Sequence, residues 1–241
     1  MREKTANCAM GALALGACLI SQSTTAGEWT SSIALTSDYR FHGLQRSAGD
    51  PAAQAHLGFI GDRGWSAGAW ASTVHLHPGP GPREELDFYA AAYLQLSRDW
   101  RIAGQLTHYE FLNDADLSYD YTEIAATASF RDALSATVAA IPQYSFYSNG
   151  YAARDRMALN YEVSGRRPLS RNLQVTAGIG YSDLHDLFGA SHWYWSTGAQ
   201  VDSRRLSLGL SYIGTDSTAK QLFGPELAGN AWVATLAYRV L

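Results

Sequence analysis

Along residues 31–43, SSIALTSDYRFHG, two chemistries alternate. Ile33, Leu35, Tyr39 and Phe41 fall on odd positions with Ser37 between them; Ser32, Thr36, Asp38, Arg40 and His42 fall on even ones. An extended chain sends successive side chains to opposite faces, so this spacing predicts one strand with an apolar and a polar face. The same period recurs with Leu86, Phe88, Ala90 and Leu94 against Glu85, Asp87, Tyr89 and Tyr93. It recurs with Ile124, Ala126 and Phe130 against Tyr121, Glu123 and Thr127, and with Met157, Leu159, Tyr161 and Val163 against Arg156, Asn160 and Glu162. Residues 173–182, 206–212 and 232–240 repeat it, and helical spacing fits these segments poorly. Weaker alternation marks 51–60, 65–76, 100–109, 134–147 and 192–201. Pro142 inside 134–147 removes a ladder donor and predicts a bulge or the membrane rim. The sum is about twelve strands, an even number as bacterial outer-membrane barrels require.

The connections alternate in length. Short ones are 61–64, 97–99, 131–133, 165–172 and 202–205; longer ones are 44–50, 77–84, 110–118, 148–152, 183–191 and 214–229. Segments 148–152 and 165–172 depart from the rule in length. Short turns at one end and long loops at the other are the pattern of a transmembrane barrel. The short-turn end collects arginines such as Arg63, Arg98, Arg131 and Arg204, whereas the long-loop end collects acids such as Glu84, Glu110, Asp183 and Glu226. An acidic mouth would concentrate cations; it would equally serve as a solvated rim, or hold lipopolysaccharide through divalent ions.

A soluble barrel would turn the apolar faces inward and a membrane barrel would turn them outward. Three observations favour the membrane. The polar faces mix charge with Gly, Ser and Tyr, which suits a wet, crowded interior. Aromatic residues cluster near strand ends (Trp29, Phe41, Trp100, Phe130, Tyr181, Trp193, Trp232), where amphipathic rings favour the membrane–water boundary. Third, the chain reads as exported. Arg2 and Lys4 precede a short apolar run from Ala9 to Ile20, and Thr24-Thr25-Ala26 supplies small residues for cleavage after Ala26. This divides the chain into a signal peptide, 1–26, and a single barrel domain, 27–241. A competing reading takes Leu15-Gly16-Ala17-Cys18 as a lipoprotein box with Cys18 as the lipid-bearing residue. Cys8 and Cys18 are the only cysteines, so a mature chain from 27 onward would be held without disulfides. No other stretch reaches the roughly 18 apolar residues of a spanning helix.

Composition adds exclusions. Of 241 residues 46% are hydrophobic and 17% charged, and the formal net charge is −4. There is no basic tract to give nucleic acid an electrostatic footprint.

Ser37-Asp38-Tyr39-Arg40-Phe41-His42-Gly43, then Ser47, Asp50-Pro51-Ala52 and Gln54, resembles the opening signature of the TorF-type porin family. Glu85-Leu86-Asp87-Phe88-Tyr89 resembles its E-x-D-x-Y strand, and Tyr121-Thr122-Glu123 its Y-x-E strand. Trp193 to Gly198 with Leu208 to Tyr212 resembles its late hairpin. The order of these pieces over residues 29–241 carries the resemblance. His42 stands where the family usually has Arg, with Arg40 two residues earlier, and Tyr194 replaces a common Asp. The resemblance implies a small outer-membrane barrel that forms a pore, and implies no particular substrate. Taken with the strand pattern, the expectation is an antiparallel, up-and-down barrel of about twelve strands for passive diffusion of small hydrophilic solutes.

On that reading Asp38, Arg40, His42, Glu85, Asp87, Tyr89, Tyr121, Glu123, Arg156, Asn160 and Glu162 line the lumen, where facing acids and bases select small polar solutes. The same groups could form an ion-pair network that plugs a narrow barrel. The alternative function is a non-conducting structural or adhesion barrel whose outer loops bind a partner. A third reading, an outer-membrane hydrolase using residues such as Ser182, His185 and Asp186, lacks any Gly-x-Ser-x-Gly elbow, and no enzyme is expected. His75 and His77 share a face near a loop, but no third ligand is evident and no metal or cofactor is expected. The expected partners are outer-membrane lipid, lipopolysaccharide and small polar solutes.

Overall fold

The computed structural model describes residues 27–76, 83–112, 119–148 and 151–241. The proposed signal peptide, His77 and the Pro78–Pro82 tip lie outside the described residues. Strands β1 (Glu28–Thr36), β4 (Ala52–Ile60), β5 (Trp65–Thr73), β6 (Glu84–Gln95), β7 (Trp100–Leu112) and β8 (Tyr121–Phe130) form half of a closed sheet. Strands β9 (Leu134–Ser148), β10 (Tyr151–Pro168), β11 (Leu173–Asp183), β12 (His192–Ser203), β13 (Leu206–Thr215) and β14 (Ala231–Arg239) form the other half. Each strand pairs antiparallel with its sequence neighbours, and β1 meets β14 to close the barrel at twelve strands. Closure satisfies the backbone without leaving an edge, which a lipid environment demands. Two two-residue strands, β2 (Arg40–Phe41) and β3 (Leu44–Gln45), pair with each other and stand apart from the wall.

The alternation settles which face meets lipid. In β8 the side chains of Tyr121, Glu123, Thr127 and Ser129 are buried, whereas Ile124 is 54% exposed. Ile33 and Leu35 in β1 are each 55% exposed, and Leu106, Val163, Ile179 and Leu210 also face outward. The Leu and Ile side chains therefore cover the outside of the sheet instead of packing together in the middle. Aromatic pairs flank this belt: Trp29–Phe59, Phe59–Trp65 and Trp100–Phe130 at the short-turn end, Tyr181–Trp193 and Tyr212–Trp232 at the long-loop end. Two rings of amphipathic side chains around an apolar band are the anatomy of a transmembrane barrel.

The register explains the irregular segment. Arg156 pairs with Tyr144 and Ala158 with Ile141, so Pro142 and Gln143 form a bulge in β9, as the missing donor of Pro142 requires. The short turns are stapled by charge. Arg131 donates from Nε to Asp99 at 2.9 Å, joining the turn after β8 to the turn after β6, and Arg101 pairs with Asp132.

Two expectations are corrected, and two of the long connections gain structure. The strand expected over 31–43 ends at Thr36, because Ser37 and Asp38 turn the chain into the barrel. The connection expected over 165–172 shrinks to 169–172, since β10 continues to Pro168. Loops 183–191 and 214–229 are not simple coil: they hold α1 (His185–Phe188) and α2 (Ser217–Ala228). Asp216 caps α2 by accepting from the Ala219 N–H at 2.9 Å, and Gly224 with φ 82° breaks the helix ahead of Pro225.

The seam is short. Five residue pairs, from Ser32–Arg239 to Thr36–Thr235, join β1 to β14, whereas nine join β1 to β4. Beyond Thr36 the ladder is replaced by contacts from the turning chain: Ser37 N donates to the Ala234 carbonyl at 2.8 Å, and Ala234 N donates to Ser37 Oγ at 3.0 Å.

Candidate functional site

Residues 37–51 fold inward as a hairpin. His42 (φ 48°) and Gly43 (φ 82°) make the two-residue turn between β2 and β3, which needs a left-handed backbone at both positions. Gly43 also has no room for a side chain, since a Cβ would lie 2.6 Å from Thr215 Cγ2 and 2.7 Å from Tyr194 Cβ. The hairpin base is closed by Arg46 N to the Tyr39 carbonyl (2.8 Å), Tyr39 N to Ser47 Oγ (2.9 Å) and Ser47 Oγ to Asp38 Oδ1 (3.2 Å).

Two guanidinium groups anchor it. Arg40 Nε is 2.6 Å from Asp38 Oδ2, with side-chain exposures of 1% and 7%, and Arg40 also donates to the Gly43 and Gly229 carbonyls. Arg46 pairs with Glu85 of β6 and donates to the Tyr121 hydroxyl of β8 at 2.6 Å. Its guanidinium carbon lies 4.0 Å from the Phe41 ring centre, 5.3 Å from that of Phe111 and 5.8 Å from that of Tyr109. The cation is thus wrapped by rings from the hairpin and from the wall, a favourable setting for a weakly hydrated guanidinium.

The site residues expected from sequence fall into five groups. Glu85, Asp87, Tyr121 and Glu123 are buried on the inward faces of β6 and β8, around Arg46. Tyr89 faces inward nearer the short turns, its hydroxyl 2.8 Å from His56 Nε2. Asn160 is buried and accepts from Ser182 Oγ, and Tyr194 donates to Glu162 at 3.2 Å. Asp38, Arg40 and His42 are inside the barrel, but on the hairpin and not on a wall strand, which corrects the expected strand placement. Tyr39 and Phe41, expected on the lipid face, pack inside with Trp70 and Tyr109. Arg156 is exposed and lies between two register shifts in β10, so it is not gathered with Asn160 and Glu162.

Sequence reasoning missed Arg46, Tyr109, Phe111, His192 and Tyr194. The signal for Arg46 was present: Gly43 and Gly49 bracket it, and glycines so placed mark turns more than a strand. For Tyr109 and Phe111 the signal was their shared parity with Thr107, an inward position.

The hairpin and α2 fill the long-loop half of the interior. Tyr39, Trp70, Tyr109, Phe111, Tyr121 and Phe223 belong to one buried cluster, against which Phe41, Leu44 and Leu227 pack. A cavity of about 680 Å³ remains between hairpin, wall and α2, bordered by Phe41, Arg46, Tyr121, Asn160, His192 and Phe223 among others. Toward the short turns the inward groups include small polar pairs: Thr127–Thr137 at 2.9 Å, Ser129–Ser135 at 3.3 Å, Gln200–Asp202 at 2.7 Å. Burial holds His42, in the hairpin turn, down at a pKa of about 3, with the nearby Arg46 and His192 acting in the same direction. Among the described residues no group of three or more His, Cys, Asp or Glu side chains is placed to hold a metal. Ser182 spends its hydroxyl on Asn160, and His185 sits in α1 with its backbone N–H on Asp183.

A family model described as "Bacterial protein of unknown function (Gcw_chp)" matches residues 21–237. The chain belongs to the Gcw_chp family. That description does not carry the TorF-type label of the resemblance. No curated protein sequence matches this family member significantly. Solved structures do match in fold. The NanC porin aligns with a TM-score of 0.55 at 9% identity, over 87% of this chain and 98% of that one. The KdgM porin in complex with disordered oligogalacturonate aligns with 0.52 at 5% identity, over 88% and 98%. An outer membrane channel from Pseudomonas putida F1 aligns with 0.53 at 10% identity, over 90% and 96%. At such identities the likeness concerns the barrel fold, which this Gcw_chp chain shares with outer-membrane porins and channels.

Proposed function

We propose that the protein resides in the outer membrane, in contact with lipid and lipopolysaccharide, as a channel for small hydrophilic solutes. In this reading it works without catalysis and belongs with the TorF-type porins its motifs resemble. One observation carries the proposal: an apolar belt faces outward around a closed barrel whose interior holds Glu85, Asp87, Glu123 and Glu162. Burying so many carboxyl groups without full pairing costs stability, which points to a functional use for them, and solute passage is the use we assign. The inward carboxyls outnumber the inward guanidinium, Arg46, at this level, because Arg40 is already matched by Asp38. The balance favours cations or neutral solutes over acidic sugars such as the oligogalacturonate bound by KdgM.

A second reading, a non-conducting barrel whose outer loops bind a partner, is favoured by the packing of the hairpin and α2 in the long-loop half. Planar-bilayer recording in a salt gradient separates the two. Steady conductance steps are expected, with a reversal potential favouring cations that moves toward anions in Glu123→Gln. Silence from correctly folded protein overturns the channel and leaves the second reading.

A further inference from the structure

Among the inward groups one cation is surrounded by more carboxyl and aromatic partners than it needs. Glu85 takes the Arg46 guanidinium, yet Asp87 and Glu123 lie on the same inward faces, buried to 1% and 5% exposure. Among the described residues neither oxygen of Asp87 has a hydrogen-bond partner, and Oε2 of Glu85 and of Glu123 has none either. A buried acceptor left unmade is costly. The wall also presents Tyr109, Phe111 and Tyr121 within 5.3–5.9 Å of the guanidinium carbon, with Tyr109 and Tyr121 stacked at 4.4 Å. These wall groups do not depend on the hairpin for their placement, because they project from β6, β7 and β8. The cavity of about 680 Å³ touches this wall at Phe111 and Tyr121 and is bordered by Arg46 itself, so the carboxyls are approached from it by way of the Arg46 position.

We propose that this wall is a binding site for small organic cations of the amidinium or guanidinium class, and that Arg46 is a tethered occupant of it. The proposal rests on the channel reading and extends it by naming a solute class. Aromatic faces and a carboxylate are the standard means of holding a planar, weakly hydrated cation. The Arg46 side chain demonstrates the fit, since it occupies the cage with a bidentate reach to Glu85 and the Tyr121 hydroxyl. A free cation entering from the cavity side displaces Arg46, competes for Glu85 and draws on Asp87 and on Oε2 of Glu123. Displacing Arg46 releases the wall-side anchor of residues 37–51, so the solute opens its own passage. An occupied site lowers apparent affinity by the fraction of time the tether is absent.

The test uses the full chain in detergent and in bilayers, with benzamidinium as probe and benzoate as its isosteric anion. Calorimetry is expected to show benzamidinium binding and no benzoate binding. Arg46→Met, with no tethered competitor, should bind benzamidinium at least about tenfold more tightly. Glu85→Gln should lose measurable binding. In the wild-type chain, which needs no substitution to fold, benzamidinium should speed hydrogen exchange of 37–51 and raise conductance. Absence of benzamidinium binding to wild type and Arg46→Met in a conducting channel overturns the site and leaves the channel reading standing. Binding without conductance sinks the channel reading and leaves the site. Equal affinities for wild type and Arg46→Met, or unchanged exchange of 37–51, overturn the tether.

Discussion

Arg40 Nε and Asp38 Oδ2 are 2.6 Å apart inside the barrel, although two residues of an extended strand would point the same way without meeting. The pair closes because the chain turns inward after Thr36, and it is the charge pair within the hairpin itself. Asp38 also accepts from Ser47 Oγ, so one carboxylate organises both arms.

Asp38→Ala therefore removes the ionic partner of a guanidinium whose side chain is 1% exposed, leaving it the Gly43 and Gly229 carbonyls. Hairpin docking should weaken by about 3–5 kcal/mol, the usual cost of stranding a buried charge. Hydrogen exchange over 37–51 should accelerate while strands β6 to β13 stay protected. Unchanged exchange in the hairpin would show that the pair contributes nothing to docking.

Gly43→Ala tests the turn. The substitution places a Cβ at φ 82° and within 2.7 Å of Thr215 and Tyr194. Left-handed strain and overlap together should cost about 1–3 kcal/mol. Urea unfolding in vesicles should register a loss in the hairpin, read by the emission of Trp70, which contacts Tyr39 at 5.4 Å.

Leu106→Arg tests the orientation of the whole sheet. Leu106 is 50% exposed near the middle of β7, between Ala90 and Ile124 on the neighbouring strands. An arginine at the bilayer midplane should cost about 2–4 kcal/mol, whereas Trp100→Arg in the aromatic girdle should cost about 0–1 kcal/mol. Equal, negligible costs for both in lipid vesicles would mean that the outer face does not meet hydrocarbon.

Acid should loosen the hairpin through His42. Its pKa is held down at about 3 in the docked state by burial, then by Arg46 and His192, while an undocked ring titrates near its ordinary value of 6.5. Between those values the undocked state binds the extra proton. Docking is therefore fully stable above pH 6.5 and weakens as pH falls toward 3, by up to about 1.4 kcal/mol per pH unit. His42→Gln should flatten the pH dependence of hydrogen exchange in 37–51; an unchanged slope would assign the effect to another group.

The sequence made the wall legible because period two has one meaning over a long strand. The inward placement of Glu85, Asp87 and Glu123, and the outward placement of Phe88, Leu94 and Ile124, follow from parity alone. Pro142 announced its bulge because a residue without an N–H cannot complete a ladder. The hairpin was not legible by the same logic. The alternation of Asp38, Arg40 and His42 with Tyr39 and Phe41 persists across the turn, since both arms of a hairpin are themselves extended. Only the glycines carried the difference, and Gly43 is required by a close approach to Thr215 and Tyr194 that no local pattern encodes. The glycines mark the turn that carries Arg46, but its partners Glu85 and Tyr121 were hidden, being 39 and 75 residues away.

The five-pair seam between β1 and β14 gives the hairpin a second consequence. Ser37 is bound to Ala234, and Arg40 reaches the Gly229 carbonyl just before β14, so the infolded segment clasps the last strand to the first where the ladder runs out. Docking and circumferential closure are then one cooperative event, and whatever draws the hairpin out also slackens the ring.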